Sequence, residues 1–180
     1  MKKTTEEILI LKSKAGNARA YGQLVERYSQ FCFSIVFRLM HVRVDAEDVV
    51  QEAFISAWNK LKKFDPKKGK FSTWLYAIAT RLAIDTIRKR KVLLSLSEKE
   101  MELQYTDPYA KLENEENEKL LMFAMHRLTE LQKLVFVLRE IEEMSVDEVV
   151  AISELTPKQI KDNLYVARKQ VKQLLMKHVI

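Results

Sequence analysis

Residues 45–61 decide the fold of this chain and read DAEDVVQEAFISAWNKL. The apolar residues recur at intervals of three and four, which is the pattern of an amphipathic helix with one buried face. We expect Asp45 to cap this helix, with Asp48 three residues later in a capping arrangement. Asp48, Gln51 and Glu52 then fall on or beside one exposed strip. The predicted buried face consists of Val49, Val50, Ala53, Phe54, Ala57, Trp58 and Leu61.

The same spacing recurs on both sides of this segment and predicts further helices. A long apolar stripe follows a break at Gly16-Asn17, and another helix is expected over 74–89, capped by Ser72 or Thr73. The whole chain of 180 residues contains only three glycines and three prolines. All-β folds need more of these residues for their tight turns. We therefore predict an all-α fold.

Charge divides the sequence into three parts. Residues 1–94 carry a net charge of +10, residues 95–118 carry −6, and residues 119–180 carry +2. The helical periodicity is also lost through much of the acidic part. This pattern predicts two small helical domains, 1–94 and 119–180, joined by a flexible acidic linker over 95–118. The strongly basic first domain favours a polyanionic partner, most plausibly nucleic acid.

The C-terminal part predicts a helix pair. Ser145 is followed three residues later by Glu148, which is a capping box. Thr156-Pro157 then combines an N-cap with a proline at the first helical position. A short turn at 153–155 between a short helix and a longer basic one is typical of a helix-turn-helix that binds DNA.

Several classes of protein are disfavoured by what the sequence contains. A single cysteine, Cys32, allows neither an internal disulfide nor a cysteine zinc site. The histidines at 41, 126 and 178 are far apart in sequence, and no glycine-rich phosphate loop is present. We therefore expect a protein that is not an enzyme and needs no metal or organic cofactor. No targeting signal or long apolar segment is apparent, so we expect a cytoplasmic protein without membrane insertion.

Three stretches together resemble the extracytoplasmic-function sigma factors. Residues 45–54, DAEDVVQEAF, resemble the most recognisable segment of that family, and 71–88, from FSTWLYAIA to IDTIR, resemble its promoter-melting segment. Residues 148–169 are similar to its second DNA-binding domain. The resemblance implies a bacterial transcription initiation factor with two helical domains. Its partners would be core RNA polymerase, promoter DNA and an anti-sigma factor, with no small-molecule substrate.

The resemblance also implies a role for individual residues. Polymerase would be bound by Asp45, Asp48, Gln51, Glu52 and Phe54. The −10 promoter element would be bound by Phe64, Lys67, Lys68, Lys70, Phe71, Ser72, Thr73, Arg81 and Arg88. The −35 element would be bound by Thr156, Lys158, Gln159, Lys161, Asp162, Asn163, Tyr165, Arg168 and Lys169. Lysines neutralise phosphates and aromatic rings stack on unpaired bases, which suits the basic aromatic loop to opened DNA.

The sequence departs from the family pattern at several of these positions. Arg81 stands where the family usually has Asn, and Glu154 where the turn usually has Gly. Asp162 and Asn163 replace a common Ser and a common Arg, and Val166 replaces another Arg. The helix expected to bind the −35 element therefore carries less positive charge than is usual in the family. We expect it to prefer an atypical −35 sequence or to bind DNA more weakly.

Other interpretations remain open at this point. A stand-alone helix-turn-helix regulator would explain the terminal helix pair, and should bind duplex DNA specifically by itself. A metal-dependent nuclease is compatible with the charge alone. A helical adaptor without a DNA role would leave the basic loop unexplained. Trp74 and Tyr76 fit the helical core as well as a base-stacking surface. The acidic linker fits a solvated tether as well as a mimic of nucleic acid.

Overall fold

The computed structural model describes residues 5–96 and 115–178, and within these ranges every regular element is a helix. The predicted all-α fold is confirmed. In the described ranges no helix is both long and apolar enough to span a membrane. The elements are α1 (Thr5–Lys14), α2 (Ala18–Met40), α3 (Arg43–Lys60) with a 3-10 turn (Leu61–Lys63), α4 (Phe71–Leu96), α5 (Glu115–His126), α6 (Glu130–Phe136) with a π turn (Val137–Ile141), α7 (Val146–Ser153) and α8 (Pro157–His178).

Helices α1 to α4 pack into an N-terminal unit around a shared apolar core. Asn17 caps α2, since its Oδ1 accepts a hydrogen bond from the backbone N–H of Ala20 at 2.9 Å. Cys32 is buried in the α2 stripe as a small apolar residue, and its burial raises the thiol pKa to about 12. The least exposed large side chains of this unit are Leu24, Ile35, Val36, Leu39, Leu61, Phe71 and Leu75.

Helices α5 to α8 form a C-terminal unit whose turns are closed by capping boxes. Ser145 and Glu148 bond reciprocally at the start of α7, as expected from the sequence. Thr156 and Gln159 do the same at the start of α8, with N–O distances of 2.9 and 3.2 Å. Each box satisfies backbone N–H groups that have no partner within the helix. The core is built from Met125, Leu134, Val135, Leu138, Val149, Ile160 and Ala167.

Two expected helix starts were wrong. Asp45 does not cap α3, because the helix already begins at Arg43 with Val42 as its N-cap. Asp45 lies in the first turn instead and pairs with Arg90 at 2.5 Å. Its carboxylate still lies near the positive N-terminal end of the helix dipole. The favourable interaction with that dipole is therefore present, although Asp45 is not the N-cap.

Ser72 and Thr73 do not cap α4, because this helix begins at Phe71. Phe71 is 1% exposed and its ring lies 5.8 Å from that of Trp74. Because this packing orders Phe71 in the core, the first turn of the helix begins there and not after Ser72 or Thr73. The helix also continues to Leu96, past the boundary expected at residue 94. Most of the expected linker, 95–118, lies outside the described residues.

The two units pack directly against each other. Helix α7 lies against α4, and α6 with its π turn lies against α2. Glu142, at the end of the π turn, accepts hydrogen bonds from Ser34 at 3.1 Å and Arg38 at 2.9 Å. Lys133 of α6 donates to the carbonyl of Leu39 at 3.4 Å. The surfaces of both units that face each other are therefore partly removed from solvent.

Candidate nucleic-acid and protein interfaces

The exposed side of α3 carries a compact polar strip. Asp48, Gln51 and Glu52 are all exposed and lie within five residues of each other on the helix. The other two residues expected beside them lie elsewhere. Asp45 is engaged with Arg90, and Phe54 is only 6% exposed. The structure therefore brings three of the five expected residues together on the surface.

An apolar groove runs beside this strip between α2 and α3. It encloses about 660 Å³ and is lined mainly by apolar side chains, with Glu47 and Gln51 on its lining. Ile55 is 57% exposed, although it lies among the polar positions of α3. The tilted rings of Trp58 and Tyr21, with centres 4.7 Å apart, form one part of the groove lining. This groove was not predicted from the sequence, in which its visible signal is the isoleucine at position 55 on an otherwise polar helix face.

The basic loop before α4 presents its lysines to solvent but keeps its aromatic rings inside. Lys67, Lys68 and Lys70 are exposed. Phe64 and Phe71 are 5% and 1% exposed, and their rings meet edge to face at 5.7 Å. In this structure these two rings are therefore core residues and are not available to stack on a base.

The shape of this loop follows from a few backbone contacts. The Asp65 side chain accepts a hydrogen bond from the N–H of Lys67 at 3.0 Å, which forms the turn that aspartate favours. The ammonium group of Lys14 reaches the carbonyl of Phe64 and lies 5.6 Å from the centre of its ring. The loop and α1 together line a groove of about 830 Å³, in which Arg27 and the loop lysines stand beside Glu6 and Glu7.

Helix α4 carries the other residues expected to bind the −10 element. Ser72 and Thr73 are partly exposed in its first turn, and Arg81 and Arg88 are exposed further along. The guanidinium of Arg81 is 2.7 Å from the carboxylate of Glu154, which belongs to the C-terminal unit. Arg81 is thus at the surface of its own unit and in contact with the other unit.

Helix α8 displays a mixed polar stripe. Lys158, Lys161, Asp162, Tyr165 and Lys169 are exposed and recur at helical spacing on one side, and Tyr165 is 68% exposed.

The remaining residues expected at the −35 element already have partners. Thr156 and Gln159 bond each other in the capping box. The amide of Asn163 donates to the carbonyl of Gln159 at 2.8 Å. Arg168 pairs with Glu140 at 2.6 Å, and this carboxylate raises the pKa of Arg168. A side chain that bonds within the chain must exchange that bond to contact a base or phosphate.

A cluster of basic groups at a cavity between the two units was not anticipated from the sequence. The cavity has a volume of about 150 Å³ and is lined by residues of both units. Burial, together with the nearby charges of Lys133 and His126, lowers the pKa of His41 to about 3. Burial also lowers the pKa of Lys133 to about 8. These residues are far apart in sequence, so only the packing of the units reveals the cluster. Lys91 and Arg90 of α4, Asp45 of α3 and Glu130 of α6 complete its charged lining.

No metal site accompanies these surfaces. Within the part of the chain that the structure describes, there is no group of three or more His, Cys, Asp or Glu side chains that could hold a metal ion.

Known proteins are similar to this chain both in sequence and in structure. Residues 24–92 match the family model described as Sigma-70 region 2. The chain is 29% identical over 182 aligned residues to the ECF RNA polymerase sigma factor SigW of Bacillus subtilis, covering 92% of this chain and 94% of SigW. It is 27% identical to the ECF RNA polymerase sigma-E factor of Escherichia coli K12, covering 93% and 92% of the two chains.

Two solved structures have the same fold over most of the chain. The structure of CnrH in complex with the cytosolic domain of CnrY matches with a TM-score of 0.70 and 25% identity, covering 97% of this chain and 99% of that one. The sigma factor RpoE in complex with the anti-sigma factor NepR, from Bartonella quintana, also matches with a TM-score of 0.70. That second match is 21% identical, covers 87% of this chain and 96% of the other, and shows the fold alone.

Proposed function

Because the chain belongs to the extracytoplasmic-function sigma factors, we propose that it binds bacterial core RNA polymerase, directs it to specific promoters and helps to open the DNA. The observation that carries this proposal is the similarity to sigma factors along more than nine-tenths of the chain. Sigma factors act in transcription initiation. We assign polymerase contact and −10 recognition to residues 1–94 and −35 recognition to residues 119–180.

Polymerase binding is assigned to the α3 strip and the groove beside it. Asp48, Gln51 and Glu52 offer oxygen acceptors and negative charge, and the groove offers exposed apolar surface next to them. A partner helix with an apolar stripe and flanking basic residues would meet both features at once. A helical segment of the polymerase surface is a partner of that kind. The exposed Ile55 and the half-buried Trp58 would provide the apolar contact.

Contact with the opened −10 element is assigned to the loop and the beginning of α4. Lys67, Lys68 and Lys70 can bind phosphates because all three side chains are exposed, and Lys70 would exchange its pair with Glu148 to do so. The groove that they line together with Arg27 is large enough to receive an unstacked base. Phe64 and Phe71 would support this groove from the core, and the half-buried Trp74 is the aromatic residue nearest the surface.

Contact with the −35 element is assigned to α8. Its exposed stripe has the length and the side-chain chemistry of a helix that enters the major groove. Lys158 and Lys161 suit guanine edges or phosphates, and Tyr165 offers an exposed ring and hydroxyl. Asp162 adds a negative charge to this face. We therefore propose that the preferred −35 sequence differs from the one common in the family.

An anti-sigma factor is the proposed regulatory partner. RpoE in the matching structure is bound to the anti-sigma factor NepR. CnrH in the other matching structure is bound to the cytosolic domain of CnrY. The groove between α2 and α3 is large and apolar enough to receive a helix of such a partner in place of the polymerase.

Run-off transcription from a promoter library tests the proposed function. Core polymerase alone and core polymerase with this protein are compared, and we expect transcripts that depend on the protein. The double variant Asp48→Ala, Glu52→Ala should lose the polymerase complex on a sizing column. The matched control Glu26→Ala, Asp85→Ala removes the same charge from exposed positions outside the strip and should retain it.

The opposite results would favour the stand-alone regulator. Absence of both transcripts and a stable polymerase complex, together with sequence-specific binding of duplex DNA by the protein alone, would overturn the sigma factor assignment. Equal complex formation by the strip variant and its control would overturn the role assigned to α3.

A further inference from the structure

The ion pairs that join the two units all have the same polarity. In each of the four pairs found between described residues, the cation belongs to the N-terminal unit and the carboxylate to the C-terminal unit. The pairs are Arg38–Glu142 at 2.9 Å, Lys70–Glu148 at 3.0 Å, Arg81–Glu154 at 2.7 Å, and Lys91–Glu130. The C-terminal unit therefore presents an acidic face to a basic face, although residues 119–180 carry a net charge of +2.

Three of these cations lie along one helix. Lys70 immediately precedes α4, and Arg81 follows after eleven residues, which is close to three helical turns. Lys91 follows after ten more residues and lies about 80° around the helix from Arg81, so all three cations stay on one side of it. They therefore form one stripe along α4. Helix α7 packs against this helix, whereas α8 packs on α5, α6 and α7 within its own unit. The C-terminal unit thus brings α7, its flanking residues and the start of α6 against the basic stripe of α4, while Lys70, Arg81 and Lys91 stay 72%, 60% and 65% exposed.

One of the pairs joins two residues that are both unusual for the family. Arg81 replaces an Asn that is common in the family segment that binds the −10 element, and Glu154 replaces a common Gly of the turn between α7 and α8. Glu154 has a φ of +60°, a conformation in which a residue with a Cβ is strained and glycine is not. A strained glutamate at this position has a carboxylate that reaches Arg81, and the usual glycine would have none.

We propose that the C-terminal unit closes over the N-terminal unit through these carboxylates, so that closure and DNA compete for the same cations of α4. This inference rests on the −10 role assigned to Lys70 and Arg81 under the proposed function. Carboxylates occupy the positions of phosphates, so a promoter must displace them before its phosphates can pair with the α4 cations. Binding of both units to polymerase and promoter would then require the pairs to separate.

The strengths of the pairs suit a closure that opens easily. The Glu142 carboxylate is 8% exposed and accepts from both Arg38 and Ser34, so it anchors the contact near α2. The other three pairs are more exposed, and Arg81 and Glu154 are 60% and 76% exposed. Exposed pairs are individually weak and are screened by salt. DNA, which carries many phosphates, can therefore replace them.

Closure is measured by energy transfer between dyes on the full chain. Cysteines introduced at Lys12 of α1 and Lys172 of α8 carry the dyes, because both positions are exposed. Cys32 can stay, since it is fully buried. We expect efficient transfer at low salt and a longer distance between the dyes as salt is raised. A long distance at every salt concentration would overturn the proposal.

A charge-neutral variant tests the carboxylates themselves. Glu130→Gln, Glu148→Gln, Glu154→Gln removes the three exposed pairs and retains side-chain shape, and glutamine at 148 still fits the capping box. Each exposed pair contributes about a two- to threefold bias, so the open fraction should rise about tenfold relative to the closed one. The control Glu26→Gln, Glu143→Gln, Asp147→Asn changes the net charge equally at exposed positions outside the pairs. An equal response of the two triple variants would overturn the proposal.

Binding of a short single-stranded DNA separates this inference from the proposed function. When the carboxylates occupy the α4 cations, only open molecules bind DNA, so the apparent affinity for DNA falls in proportion to the fraction of open molecules. The triple variant that removes the three exposed pairs should therefore bind the DNA about tenfold more tightly than its control. If the dyes move apart in the interface variant but DNA binds no more tightly, closure through the carboxylates stands and the DNA role assigned to α4 fails.

Discussion

Replacing the strained glutamate between α7 and α8 should change stability and closure in opposite directions. Glu154 ends α7 in the left-handed conformation, with φ +60° and ψ +12°, and its N–H bonds to the carbonyl of Val150 at 2.9 Å. Glu154→Gly keeps this backbone bond and removes the Cβ that causes the strain. It also removes the carboxylate that pairs with Arg81.

The magnitude follows from two opposing backbone effects. Relief of the left-handed strain contributes about 1–2 kcal/mol to the free energy of unfolding. The greater freedom of glycine in the unfolded chain costs about 0.5–1 kcal/mol. A net gain of about 0.5–1 kcal/mol corresponds to a rise of about 1–4 °C in Tm for a chain of this length. Glu154→Gln is the matched control, because it loses the same ion pair and retains the strain.

Calorimetry and the dye distance together provide the assay. We expect Glu154→Gly to unfold at a higher temperature than Glu154→Gln, while both variants open more readily than the original chain. If the glycine variant unfolds at the same or a lower temperature than the glutamine variant, the strain assigned to residue 154 is refuted. If neither variant opens more readily, the contribution of the Arg81 pair to closure is refuted.

Three further predictions address other parts of the molecule. Glu142→Ala should lower the stability of the closed form relative to the open form by about 3 kcal/mol, because it leaves the half-buried Arg38 without its carboxylate. An unchanged dye distance would contradict this. The pKa of His41 is lowered to about 3 in the closed form, so the stability that depends on it is present above about pH 6.5 and is lost as the pH falls toward 3. His41→Asn tolerates the left-handed end of α2 and should flatten the pH dependence of the dye distance between those values, and an unaltered profile would exclude this origin. Leu75→Ala should lower the free energy of unfolding by about 2–5 kcal/mol in denaturant titration, since Leu75 is fully buried, whereas Val92→Ala at an exposed position should change it little.

Local signals in the sequence predicted most helices because each signal has a local physical cause. The capping box at Ser145 and the N-cap at Thr156 depend on side chains close in sequence, so they can be read directly and were found as expected. The partner of Thr156 in a second capping box, Gln159, was not predicted. The start of α4 could not be read in this way. It is fixed by the burial of Phe71 against Phe64, two residues whose contact depends on how the loop folds.

The candidate sites divide in the same way. The exposed strip of α3 follows from helical spacing, and the sequence predicted it. The contact between Arg81 and Glu154 spans 73 positions, and in the sequence each residue resembles any exposed charge on a helical surface. Burial of the loop phenylalanines was missed for the opposite reason. Aromatic residues beside lysines have the composition of a nucleic-acid surface, whichever way their rings point.

The uninterrupted length of α4 makes the number of its residues as important as their identity. The 26 residues of this helix extend about 39 Å without a break, so the cations along it keep a fixed angular phase. Deleting one residue between Arg81 and Lys91 would widen the angle between these two cations from about 80° to about 180°, and both could no longer face α6 and α7. Relatives that are one residue shorter between these two cations should therefore lack the closure, even where every charged residue is retained.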